Sequence, residues 1–245
     1  MEWADDGIIL GTRRHGETSL IVEALTPARG RHLGIVKGGR SRRMRGTLQP
    51  GNRVRLVWRA RLEDHLGTYQ VEPLEDRAAE LIENRAALAG FMTIAAHARL
   101  LPEREPSADL FEHFAATYDL LPGALGAQAV AMFERDLLTA LGFGLDLDVC
   151  AATGTRDNLI FVSPKTGRAV SAEAGAPYRE KLLPLPAFLR SDMPEPGGST
   201  SADEIADAYR LTGHFLLRHV WLPRNVAPPA ERERYITQVT RITSA

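Results

Sequence analysis

The chain has a single cysteine, Cys150, in 245 residues. One thiol excludes an intrachain disulfide and suits a reducing compartment, so the fold must be held by packing. No apolar run reaches the roughly 18 residues of a membrane-spanning helix. The opening Met1-Glu2-Trp3-Ala4-Asp5-Asp6 has neither the basic nor the apolar region of a secretory leader. The expectation is a cytoplasmic protein with no membrane partner. Catalytic signatures are missing as well. No Gly-x-Gly-x-x-Gly opens a helix, and Gly38-Gly39-Arg40-Ser41 lacks the spacing of a P-loop. Gly39-Arg40-Ser41-Arg42-Arg43 lacks the second glycine of a nucleophile elbow. His15 and Glu17 have no companion nucleophile or metal cluster and fit a turn. His97, His113, His214 and His219 are scattered over helical segments, as structural histidines are. We therefore expect no enzyme, no cofactor and no metal.

Negative charge is absent over one long stretch. Between Arg29 and Arg61 there is no Asp or Glu, whereas Arg29, Arg31, Lys37, Arg40, Arg42, Arg43, Arg45, Arg53, Arg55, Arg59 and Arg61 are all cationic. The whole chain has 30 Lys and Arg against 31 Asp and Glu, so the rest carries 19 basic and all 31 acidic groups. Such a local field attracts polyanions, and nucleic acid is the first to consider.

The first 75 residues read as strands: Ile8–Leu10, Ser19–Leu25, His32–Val36, Val54–Trp58 and Thr68–Val71, separated by Gly- and Pro-containing turns. Five short strands in this length suggest an OB-fold barrel, a frequent holder of nucleic acid. After Pro73 the spacing turns helical. One stripe contains Leu81, Leu88, Phe91, Met92 and Ala95, a second Leu110, Phe111, Phe114, Tyr118 and Leu121, a third Val130, Phe133, Leu137 and Leu141. A hairpin is expected between Gly142 and Ser171. A Pro/Gly-rich connection at Ser191 to Ser199 then leads to a helix over Ala202 to His219, with another after Pro229. The fold class is thus α+β.

Strand alternation puts Arg53, Arg55, Arg59 and Arg61 on one face and Val54, Leu56, Trp58 and Ala60 on the other. A solvated face is the plain alternative, but solvated faces mix signs and this run does not. Arg40 to Gly46, set between Gly38-Gly39 and Pro50-Gly51, reads as an exposed loop, disordered when free and ordered on DNA. Trp58 and Tyr69 are candidate stacking platforms, although Trp58 shares the face opposite the arginines and suits the core.

The segments His15-Gly16-Glu17-Thr18-Ser19, Thr26-Pro27-Ala28-Arg29-Gly30, Val36-Lys37-Gly38-Gly39-Arg40 and Leu48-Gln49-Pro50 occur in the order and spacing of the bacterial RecO family, which the chain resembles over essentially its whole length. The resemblance implies an OB-fold nucleic-acid-binding domain over 1–75. A helical domain over 76–245 would follow, interrupted at 143–175 by a zinc-ribbon-like hairpin. It implies binding of single- and double-stranded DNA, strand annealing, contact with the C-terminal tail of single-strand-binding protein, and action with RecR in loading RecA, at the nucleoid. In many relatives two Cys-x-x-Cys pairs hold zinc. Here only Cys150 remains of the four thiols, so the hairpin should rest on Leu159, Phe161 and Val170 instead. For the acidic tail, Arg85, Arg99, Arg104 and Arg135 are rim candidates, with ordinary solvated helix charges as the plain reading. Two other classes stay open: an RNA-binding OB protein of ribosome assembly or translation, and a phosphate-handling hydrolase, against which the missing carboxylate cluster counts.

Overall fold

A computed structural model describes residues 1–190 and 200–243. The Pro/Gly-rich connection expected at 191–199 lies outside them. The described chain divides into two compact units, Met1–Ala115 and the residues from Ala116 onward.

The first unit is built on a closed five-stranded barrel of order β1-β2-β3-β5-β4. Its strands are β1 (Glu2–His15), β2 (Ser19–Thr26), β3 (Gly30–Val36), β4 (Arg53–Arg59) and β5 (Thr68–Glu75). β1 is far longer than Ile8–Leu10, and its length is what closes the barrel. Glu2 to Ile8 pairs with β4, Ile8 to His15 pairs with β2, and the register shifts between Ile9 and Gly11 where the strand changes partner. The first half of this strand escaped an alternation reading because its less exposed positions, Trp3, Asp5 and Gly7, include only one apolar side chain. The parallel pairing of Ile35 with Thr68 joins β3 to β5.

Alternate residues of every strand turn inward. Ile9, Val22, Ala24, Val36, Val54, Leu56, Trp58 and Tyr69 form one buried cluster, with Leu48 from beyond β3. Trp58 is 1% exposed and its indole N–H donates to the Leu66 carbonyl at 3.0 Å. That bond requires Gly67, whose φ is +66° and whose missing Cβ would lie 2.3 Å from the indole nitrogen.

The stretch expected to be a disordered loop is α1 (Arg42–Thr47), which corrects that expectation. Its anchor is an i, i+4 pair: Met44 packs on the barrel core and Leu48 belongs to it. Asn52, also buried, donates to the Gly46 and Thr47 carbonyls at 2.8 and 3.2 Å and accepts from Ala78 N at 2.9 Å, tying α1 to the start of the next helix.

The first helical stripe is interrupted. Asn84 accepts from Ala87 N at 3.0 Å, which ends α2 (Ala78–Glu83) and caps α3 (Arg85–Ala98), leaving Leu88 exposed. α4 (Ala108–Leu120) and α5 (Gly126–Ala140) follow the second and third stripes. In the second unit, the expected hairpin is present as β6 (Leu159–Val162) and β7 (Ala169–Ser171), joined by a third strand, β8 (Leu183–Pro184), with a short α6 (Ala172–Gly175) between. Leu159, Phe161 and Val170 are buried in it. α7 (Ala202–Leu216) continues as a π-helical turn, Leu217–Trp221, and α8 (Ala230–Thr243) follows Pro229. A buried ion pair, Arg232 with Glu134 at 2.7 Å, ties α8 to α5. The architecture is α+β, a five-stranded barrel followed by helices.

Candidate nucleic-acid interface

Burial bears out the face assignment for β4: Val54, Leu56 and Trp58 are inside, while Arg55 and Arg59 are exposed. The guanidinium row on the outer face is not bare, however, and that expectation is corrected. Arg53 meets Glu75 at 3.6 Å, Arg55 meets Asp6 at 2.8 Å and Arg59 meets Glu2 at 2.7 Å. Each carboxylate comes from a strand that flanks β4 in the sheet but is remote or separate in sequence, so the face does mix signs. The hydrogen bonds raise the pKa of Arg55 and Arg59, and Arg59 lowers that of Glu2. Arg31 is likewise engaged, at 2.9 Å from Glu23 and through its Nε to the Leu101 carbonyl. Arg61 lies beyond the end of β4.

The cations that remain are distributed at two ends of the barrel. Arg29 and Lys37 bracket β3, and eight strand steps separate them by roughly 25 Å. At Arg29 the guanidinium lies 5.6 Å over the ring of half-buried Trp3, which stacks on Trp58 at 5.8 Å. At the other end Lys37, Arg40, Arg42, Arg43 and Arg45 are all exposed. Among the described residues no carboxylate lies within ion-pair distance of these five. Of Arg13 and Arg14 at the exposed end of β1, Arg14 joins them by lining the same groove as Arg40 and Arg45, while Arg13 lines a different cavity. Sequence reading missed this pair because it precedes the acid-free stretch; only the paired arginines beside a turn could have flagged it.

Tyr69 is no stacking platform. It is buried and its hydroxyl lies 3.0 Å from Nδ1 of His32, also buried. Burial and nearby Arg104 push the His32 imidazole down to about 4, so it is neutral at pH 7, and burial raises the Tyr69 phenol. Trp3 and His32 complete this aromatic cluster edge to face, at 5.0 Å.

The rim candidates for an acidic peptide are mostly engaged. Arg99 bonds Glu23 and the Leu10 carbonyl, both at 2.7 Å, Arg104 bonds the Glu63 and His65 carbonyls, and Arg135 bonds Asp136 and the Leu189 carbonyl. Arg85 is exposed. The donor set at Cys150 does not fit zinc. Its sulfur lies 3.5 Å from the Ser171 hydroxyl and accepts from Ser171 N at 3.3 Å, so hydroxyls stand where further thiolates would be needed. Burial opposes ionisation of this thiol, but hydrogen bonds from Thr153 and Ser171 outweigh it and bring the pKa down to about 6. Among the described residues no three His, Cys, Asp or Glu side chains gather as a metal site, and no helix is long and apolar enough to cross a membrane.

The sequence model described as the N terminal of recombination protein O matches residues 1–77, and the one described as its C terminal matches 84–226. The chain belongs to the RecO family. DNA repair protein RecO of Chelativorans sp. (strain BNC1) is 54% identical over 245 residues, covering 98% of this chain and 96% of that relative. DNA repair protein RecO of Mesorhizobium japonicum is also 54% identical, over 98% of this chain and 94% of its own length. That of Brucella abortus (strain 2308) is 52% identical, over 98% and 97%. Membership of the RecO family makes this a DNA repair protein, and its five-stranded barrel agrees with an OB-fold.

Proposed function

We propose that this RecO-family chain is a non-enzymatic mediator. Residues 1–75 hold single- and double-stranded DNA, and residues 76–245 engage protein partners. It anneals complementary strands and, with RecR, helps load RecA on DNA covered by single-strand-binding protein, whose C-terminal tail it contacts. The observation that carries the DNA part is the gathering of Lys37, Arg40, Arg42, Arg43 and Arg45 at one end of the barrel, with no neutralising carboxylate among the described residues. Guanidinium groups bind phosphates bidentately and release condensed counterions, a driving force independent of sequence. Screening the phosphates of two strands lowers their mutual repulsion, which is what annealing requires. In this reading Arg53, Arg55 and Arg59 shape the face but contribute little net charge. The hairpin at 143–175 is a zinc-ribbon-like insertion that has lost its ligands.

The test is competition. Labelled single-stranded DNA bound to the protein is challenged with unlabelled DNA and with structured RNA of equal length. The mediator reading expects DNA to displace at least as well as RNA, and complementary strands to anneal faster with protein present. Preferential displacement by RNA would favour a role in ribosome assembly or translation. Recovery of RecR or single-strand-binding protein from nuclease-treated lysate tests the protein partners.

A further inference from the structure

The tip of the β1–β2 hairpin and the turn before α1 enclose a groove of about 660 Å³. Two bonds from one residue fix its walls: Arg40 N donates to the Thr18 carbonyl at 3.0 Å, and the Arg40 guanidinium reaches the Glu17 carbonyl. The floor is apolar. Half-buried Leu20 lines it, and Leu48, only 3% exposed, backs it across Gly39, where an added Cβ would lie 3.2 Å from both side chains. Arg14 and Arg45 line the rim with Arg40, and Gln49 is held by a 2.8 Å bond from its amide nitrogen to the Arg45 carbonyl, which directs the side chain beside the rim. Glu17 is the one carboxylate among the lining residues, against three arginines.

This is a different kind of surface from the outer face of β4. A row of charges on a flat strand can hold any phosphate backbone, single or double. A cavity with a charged rim and an apolar floor has room for more than phosphate, and its volume falls in the roughly 300–1,000 Å³ range of small-molecule sites. Bases in a duplex are stacked and paired, and can reach such a floor only by unstacking. An unpaired nucleotide reaches it at little cost. We propose that this groove seats one unpaired nucleotide of a DNA single strand, its phosphate on Arg14 and Arg45 and its base against half-buried Leu20, which Leu48 backs from the core. The inference rests on the DNA-binding reading above and adds selectivity to it: the groove favours single strands, whereas the outward arginines of α1 serve both forms. A seated base must leave before it can pair, so the site also releases a strand as annealing proceeds.

The experiment uses the full chain at one fixed salt concentration and three probes of equal length: an oligothymidylate, the same strand with abasic residues throughout, and a duplex. Affinities are read by fluorescence anisotropy. Because the abasic strand keeps every phosphate, the wild-type protein should bind the oligothymidylate roughly fivefold more tightly than it, the scale of burying about 40 Å² of base face on an aliphatic floor at about 25 cal/mol per Å². The double variant R14Q/R45Q should lose more affinity for the oligothymidylate than for the duplex, while R42Q/R43Q should weaken both equally. Equal binding of abasic strand and oligothymidylate, or equal losses for single strand and duplex in R14Q/R45Q, would overturn the groove and leave general DNA binding intact. Failure of the wild-type protein to bind any of the three at low salt would instead sink the DNA-binding reading itself.

Discussion

Buried His32 is neutral in the folded barrel, with its imidazole pushed down to about 4 by burial and by Arg104. In the unfolded chain it titrates near 6.5. The unfolded state therefore binds more protons below that value. The resulting stability is complete above pH 6.5 and is lost as pH falls from 6.5 toward 4, by about 3 kcal/mol over the window. Urea midpoints between pH 4 and 8 should show this decline. H32Q should flatten it, since glutamine can keep a hydrogen bond to Tyr69 without titrating. An unchanged slope in H32Q would assign the decline to other groups. The sequence offered no sign of this cluster, because Trp3, His32, Trp58 and Tyr69 meet only through the strand register, Trp3 opposite Trp58 and Trp58 opposite Tyr69.

At the scale of elements, β4 and α1 show where the sequence was legible and where it was not. Period-two alternation in β4 is a local property, so the inward Val54, Leu56 and Trp58 could be read directly. The carboxylates on its outer face could not, because Glu2 and Asp6 lie on a strand some 50 residues away and only barrel closure brings them beside Arg59 and Arg55. α1 was illegible for a related reason. Its six residues contain three arginines and one apolar side chain, too little for periodicity, and its support comes from the barrel it packs on. The two elements predict opposite behaviour. R42A/R43A/R45A removes exposed like charges and should weaken DNA binding and annealing while leaving the melting temperature nearly unchanged. Trp58→Ala empties the barrel core and should cost about 3 to 5 kcal/mol. DNA titration and thermal unfolding of both variants decide it; a stable Trp58→Ala protein that no longer binds single strands would refute the core assignment. The hairpin of β6 and β7 makes a third case. With one sulfur among hydroxyls at Cys150, purified protein should hold no stoichiometric zinc, and chelator should leave its melting temperature unchanged. One zinc per chain by elemental analysis would contradict this.

For the whole molecule, what counts is how the charge is distributed rather than its sum. The chain is near neutral, yet an acid-free stretch carries eleven cations. Folding divides them. Arg31, Arg53, Arg55 and Arg59 acquire carboxylate partners, whereas Lys37, Arg40, Arg42, Arg43 and Arg45 have none among the described residues, and Arg14 joins the latter around α1. A cation already facing a carboxylate releases little counterion when a phosphate approaches, because that carboxylate must first be displaced. Counterion release therefore counts the open cations, and each phosphate contact on a single strand contributes about −0.7 to the slope of log K against log salt. Six open cations at one end of the barrel give a slope of about −4, while engagement of all eleven in the acid-free stretch would give about −8. Titrating a short oligothymidylate over a range of salt concentrations separates the two. A slope near −4 that falls toward −2 in R42A/R43A/R45A places the interface at the α1 end. A slope near −8 that is reduced by R55A/R59A would mean that DNA displaces Glu2 and Asp6, and that the outer face of β4 is the interface after all.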